Sequence, residues 1–293
     1  MQGKKASFMW ATLHSVADTL EEKLLLKFDE TEYLFWLNLI IGVLIAIYAI
    51  FGGIELSFIS FLVIIFYALA MVGGDYCYIK AIQTLPIGLA NLIDSGSIFI
   101  ILVCDIILGY IRPRALFLVI FIIFIVSIYI FSLETNKMKK EIINKKIDLK
   151  NIFILITSTI FYASDPYFLK LALSKGANVY GVNLIYYMVA IPVFYFMLRK
   201  HKQQNGIPYK TKNEKRQFFK TIIIIAVLFS ITDILGILAY FGCAPIVVNL
   251  IMKLQLFFVV ILSVINKTDK MNWKKVISLA VGVFCILIMA FMS

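Results

Sequence analysis

Histidine is nearly absent from this 293-residue chain, with two copies, and cysteine occurs four times, at Cys77, Cys104, Cys243 and Cys285. Each cysteine lies in an apolar run and none makes a CxxC pair, so neither a disulfide framework nor a zinc site is suggested. No metal site and no cofactor is expected. Charge is scarce too: 15% of residues are Asp, Glu, Lys or Arg, against about 25% in ordinary globular chains. The sequence has no GxxxxGK(S/T) phosphate loop with which to use ATP, and no HExxH or GxSxG motif of a hydrolase. It also has no room for a soluble domain, because the clearly polar stretches are 134–150 and 199–219. The first hydrophobic stretch carries His14, Asp18, Glu21 and Glu22, which the apolar core of a cleavable signal peptide would not hold.

Apolar surface is what the chain has in excess. Hydrophobic residues make up 62% and the mean hydropathy is +0.94. A soluble protein of this size could not bury so much. The expected fold class is therefore an all-α polytopic membrane protein. Ten apolar spans, each near the roughly 20 residues a bilayer requires, fall at about 6–26, 33–52, 58–84, 88–109, 115–133, 151–173, 179–198, 220–241, 246–265 and 274–292. Backbone inside a bilayer must satisfy its own hydrogen bonds, so the spans are expected to be helices. The expected location is a bacterial plasma membrane.

The chain repeats itself. Asp18 and Lys23 recur as Asp165 and Lys170, an offset of 147 residues; Asp75 and Asn91 recur as Asp233 and Asn249, an offset of 158. Acids inside membrane spans are rare, so four of them in register point to duplication. The expected organisation is a five-helix repeat over 1–133, a basic linker over 134–150 and a second five-helix repeat over 151–293. Five is odd, so the second half enters the membrane inverted, and inverted repeats build secondary transporters with a site near the midplane.

Two five-helix halves of this length resemble the drug/metabolite transporter superfamily, in particular its EamA-like members. The hairpin from Tyr78-Ile79-Lys80-Ala81-Ile82 to Leu85-Pro86-Ile87-Gly88-Leu89-Ala90 is similar to that family's pattern, and Leu279-Ala280-Val281-Gly282-Val283 resembles its glycine-bearing closing helix. The family's Gly-Glu at the ends of the fourth and ninth spans stands here as Gly109-Tyr110 and Asn266-Lys267. The resemblance implies a ten-helix carrier whose central cavity is lined by the first, third, fourth, sixth, eighth and ninth spans, with cytoplasmic termini. It names no substrate.

Charges inside a bilayer cost roughly 2.5–3.5 kcal/mol each at the centre, so they persist where they face water or a partner. Eight acids lie inside the spans, joined by the bases Lys23, Lys80, Lys170 and Lys253; Lys220, Lys274 and Lys275 at span edges belong with the loops. On the first span, Trp10, His14, Asp18, Glu21 and Glu22 share one helical face, which could pass protons or hold a cation. The alternative is a self-satisfied pair between helices. Asp105, Glu21 and Glu22 lie near span ends. In the fourth and ninth spans, Asn91 and Asp94 occupy the face that Asn249 and Lys253 occupy in the other half. Asp94 and Lys253 either pair with each other or hold a zwitterion. Tyr78 and Tyr162 stand among several tyrosines on candidate cavity helices, where ring faces would suit an ammonium group; packing is the bland alternative. Pro166, directly after Asp165, suits a helix that bends.

The function these features imply is secondary active transport of a small amine-bearing metabolite, an amino acid or related zwitterion, with choline-like or other organic cations as the alternative. The candidate binding or coupling residues are His14, Asp18, Glu22, Asp75, Tyr78, Asn91, Asp94, Tyr162, Asp165, Asp233, Asn249 and Lys253. A proton or solute gradient is the expected drive, and a monomer or homodimer in lipid the expected state. An intramembrane enzyme or a non-transporting scaffold explains the repeated acids less well.

The net charge of +11 is not a nucleic-acid footprint. Nineteen basic residues lie in the loops 27–32, 134–150, 199–220 and 266–275, against five on the other side. The positive-inside rule then puts both termini outside, opposite to what the resemblance implies.

Overall fold

The computed structural model describes residues 2–25, 28–82, 93–139, 149–205, 212–265 and 272–292. Among them there is no strand. The helices are α1 (Gln2–Leu25), α2 (Glu30–Gly52), α3 (Phe58–Ile82), α4 (Ser97–Ile107), α5 (Ala115–Lys139), α6 (Leu149–Ser174), α7 (Val179–Asn205), α8 (Lys212–Ala239), α9 (Pro245–Met252), α10 (Leu254–Ile265) and α11 (Trp273–Met292). Among the described residues, seven stretches are long and apolar enough to cross a membrane: α2, most of α3, α6, α7 and α8, α9 with much of α10, and α11. The chain is a helical, multi-pass membrane protein.

Local chemistry explains where several helices begin and end. Asp29 caps α2, its Oδ1 accepting from the backbone N–H groups of Thr31 and Glu32, both at 3.0 Å. Glu30 and Glu32 in the first turn add negative charge where the helix dipole favours it. The same helix ends at Gly53, whose φ of 74° would strain a side chain. Pro245 opens α9 at the position where a missing N–H costs nothing. The next N–H, of Ile246, is satisfied from another helix: Asp105 of α4 accepts it at 2.8 Å.

Helix α1 lies along α8, α3 along α6, α2 along α7 and α5 along α11, while α9 packs on α4 and α1. Lipid is as apolar as leucine, so helices in a membrane gain most from close packing and polar contacts rather than from water exclusion. Both occur at α5, α10 and α11. A side chain at Gly282 would bring its Cβ within 2.6 Å of the Phe257 ring, so only glycine admits that ring. Beside it the Ser127 hydroxyl donates to the Ser278 carbonyl at 2.5 Å. The outward faces are apolar: Phe51 is 86% and Phe291 87% exposed, which suits lipid and not water.

Two helical stretches tighten locally. In the first half the helical turn 93–95 is followed by a bend at Gly96, whose N–H donates to the Ile93 carbonyl at 2.9 Å before α4 begins. In the second half α9 ends at Lys253 and α10 starts at once, with Leu256 N–H donating to the Lys253 carbonyl at 3.1 Å. Both are three-residue bonds in place of four-residue ones, a local tightening that marks hinges. Pro166, by contrast, lies inside an α6 that runs on as one helix.

Candidate functional site

Five helices turn polar or aromatic faces toward a cavity of about 280 Å³. Tyr67, Met71 and Asp75 follow one another at four-residue spacing on α3. Tyr162, Asp165 and Leu169 share a face of α6, as do Asn183, Tyr186 and Tyr187 on α7. Asp233, Gly236 and Ile237 come from α8, followed by Tyr240; Trp10 of α1 and Met252 of α9 complete the lining. Three of the four acids that repeat in the sequence therefore share one space. Lining by α7 was not implied by the family resemblance, and no described residue of the fourth span lines this cavity.

Tyrosines hold the carboxylates. Tyr162 donates to Asp75 Oδ1 at 2.7 Å and Tyr186 to Asp75 Oδ2 at 3.3 Å. Tyr187 donates to Asp233 Oδ2. Asp165 has the hydroxyls of Tyr67 and Tyr240 as neighbours. Tyr240 also accepts from Asn249 Nδ2 at 3.1 Å, so Asn249 reaches the cavity through that ring. Neutral hydroxyl donors orient a carboxylate without cancelling its charge. Among the described residues that line the cavity there is no lysine or arginine.

The fourth repeated acid, Asp18, lies apart from that lining. Gln255 Nε2 donates to its Oδ2, and His14 Nε2 stands 3.5 Å from its Oδ1. The His14 ring stacks on Trp10 with centroids 4.1 Å apart and meets Phe229 at 4.8 Å. Trp10 thus touches the cavity on one side and His14 on the other. His14 Nδ1 is buried with no hydrogen-bond partner.

Lys253 Nζ donates to Asp94 Oδ2 at 3.0 Å, so the two opposite charges of the fourth and ninth spans pair with each other across the two bends. Tyr78 packs edge-on against Tyr162, with ring centroids 6.3 Å apart, and Met252, next to Lys253, lines the cavity. The pair therefore borders the cavity without opening into it. Asn91 and the side chain of Glu22 lie outside the described residues. Asp105 is fully buried: besides capping α9 it accepts from the Tyr167 hydroxyl at 2.9 Å.

Tyr67, Asn183 and Gln255 are polar site residues that the sequence does not single out. Asn183 stands three and four residues before Tyr186 and Tyr187, a spacing that puts all three on one face. An asparagine and two tyrosines are too ordinary in a membrane helix for that spacing to signal a site.

No family model and no curated protein matches the chain. A solved structure known only as "Crystal structure of protein" is similar, with a TM-score of 0.69, over 99% of this chain and 93% of its own, at 11% sequence identity. At that identity the likeness shows the fold alone. It extends over nearly the whole chain, so the helical arrangement around the cavity is one that a crystallised protein also adopts.

Proposed function

We propose that this protein is a secondary active transporter that carries a small organic cation across the membrane by alternating access. The observation that carries the reading is the cavity: three carboxylates, Asp75, Asp165 and Asp233, among five tyrosines, with no base among the described lining residues. Uncompensated carboxylates in a low-dielectric space attract a cation, and tyrosine faces add cation–π attraction. The carboxylates are not grouped to chelate a metal: no cluster of three His, Cys, Asp or Glu side chains able to hold one occurs among the described residues. That favours an organic ammonium. A zwitterion would need a base for its carboxylate, and Lys253 is already engaged by Asp94, so the cation reading stands ahead of the amino-acid reading.

Ten spans in two inverted five-helix repeats make this mechanism available. The paired acids at offsets of 147 and 158 residues support the duplication. So do the helix pairings, because exchanging the halves turns the α1–α8 contact into the α3–α6 contact and leaves α2–α7 and α5–α11 unchanged. The matched bends at Gly96 and Lys253 support it too. Membership of the drug/metabolite transporter superfamily is part of the same proposal, resting on the hairpin at 78–90 and the closing helix around Gly282. In this reading Asp18 with His14 takes the coupling proton, separated from the cation site by Trp10.

The test is uptake of radiolabelled organic cations into proteoliposomes under an imposed pH gradient. Asp75→Asn and Asp233→Asn should each abolish concentrative uptake. Asp18→Asn should leave cation exchange intact while uncoupling it from the gradient. Transport as fast as wild type, with full coupling, in all three variants would refute the assignment.

A further inference from the structure

Asn183 does not fit a cavity built for a bare ammonium ion. It lines the same space as the three carboxylates, is 6% exposed, and its amide Nδ2 is buried with no hydrogen-bond partner. A buried donor left unmade costs the free energy of its desolvation, so such groups in native proteins generally have a reason to be there. Around it the tyrosine hydroxyls are committed to the carboxylates: Tyr186 to Asp75 and Tyr187 to Asp233. Asn183 therefore brings an N–H without a partner to the cavity wall.

The chemistry of that visitor is constrained from both sides. Its cationic end belongs with the carboxylates. The end that meets Asn183 must accept a hydrogen bond. A carboxylate would accept one, but three acids in the same small space would repel it with no base to compensate. A neutral oxygen accepts the bond without that cost. A volume of about 280 Å³ corresponds to roughly nine waters, at about 30 Å³ each, which is room for a molecule of a few carbons with both ends engaged.

We infer that the cavity is specific for ammonium compounds carrying a neutral oxygen acceptor, such as amino alcohols or amino amides, and that Asn183 is the residue that selects the oxygen. The inference rests on the organic-cation reading of the cavity and narrows it. Sites built to bond a polar group reject an analogue lacking it more strongly than apolar sites reject an added group, because the site's own donor is left unpaired.

The experiment is isothermal titration of the purified full-length chain with three probes of matched length: aminobutanol, pentylamine, in which a methyl group replaces the hydroxyl, and aminobutyrate, in which a carboxylate replaces the alcohol carbon. Wild type should bind aminobutanol at least about fivefold more tightly than pentylamine, the range expected when a buried donor is left unpaired, and aminobutyrate least of all. Asn183→Leu should erase the preference by weakening aminobutanol while keeping pentylamine. Asn183→Ser, which retains a hydroxyl donor, should keep part of it and guards against a folding defect in the leucine variant. Equal binding of aminobutanol and pentylamine by wild type would overturn the role of Asn183 while leaving the cation reading intact. Tightest binding of aminobutyrate, or binding of none of the three, would overturn the cation reading itself and this inference with it.

Discussion

Lys253 and Asp94 form an ion pair, at 3.0 Å, between the two helical stretches that tighten locally, with about a fifth and a quarter of their side chains exposed. Each charge is held where a helix tightens, so the pair ties the two hinges to each other. Substrate-driven rearrangement of these helices would have to break or carry this contact.

Removing one partner leaves the other charge without compensation, which costs about 3–5 kcal/mol when the pair is fully buried. Partial exposure lowers that figure here. Lys253→Met and Asp94→Asn should each lower the thermal unfolding midpoint of the purified protein. The double variant should be more stable than the sum of the two effects, the signature of a direct pair in a double-mutant cycle. Additive losses would show that the two charges act independently.

Tyr162 gives Asp75 the shorter of its two tyrosine hydrogen bonds, at 2.7 Å. Tyr162→Phe keeps the ring, its packing against Tyr78 and any cation–π attraction, and removes one donor. Because the ring stays, the loss should fall on the carboxylate's orientation: cation affinity should drop about fivefold or more, the scale of a lost hydrogen bond to a charged group, with little change in unfolding temperature. Titration of an organic ammonium against both proteins measures it.

The acids were legible in the sequence because charge inside an apolar span is conspicuous, and two offsets were enough to pair Asp18 with Asp165 and Asp75 with Asp233. Three of those four meet in one cavity, and Lys253 meets Asp94 as one of its two sequence readings expected. What stayed hidden depends on tertiary placement. Tyr67 is indistinguishable by type from the packing tyrosines, and only the cavity sets it apart. The bend at Lys253 has no glycine or proline to announce it. The partner of Asp105 was not legible either, because the start of α9 that folds back onto it lies 141 residues further along the chain.

Gly282 marks a close helix contact that a single substitution tests. A methyl group there would meet the Phe257 ring at 2.6 Å and the Ser127 hydroxyl at 3.0 Å. The ring sits at the meeting of α5, α10 and α11 and cannot retreat without disturbing buried neighbours. Gly282→Ala should cost about 1–3 kcal/mol, as overpacking does, and Gly282→Val more. Unfolding in a denaturing detergent titration reports the loss. Phe257→Leu in the alanine background should recover part of it.

Asp29 supplies a pH-dependent element outside the membrane-spanning segments. Burial pushes its carboxyl up, but hydrogen bonds from the Thr31 hydroxyl and the Glu32 N–H, with His201 alongside and the Thr31 N–H, outweigh this and hold it below the usual carboxylate range. His201 Nε2 is 3.0 Å away, so the cap also joins α2 to the end of α7. A group whose folded pKa is depressed stabilises the fold above its unfolded value, near 3.9, and loses that contribution as pH falls through the lower folded value. The unfolding midpoint of wild type should therefore decline below about pH 4 more steeply than that of Asp29→Asn, which retains a capping oxygen but does not titrate. At neutral pH Asp29→Ala should be the least stable of the three, by about 1 kcal/mol for the lost cap. Identical acid profiles for wild type and Asp29→Asn would mean that the carboxylate's charge contributes nothing beyond its role as an acceptor.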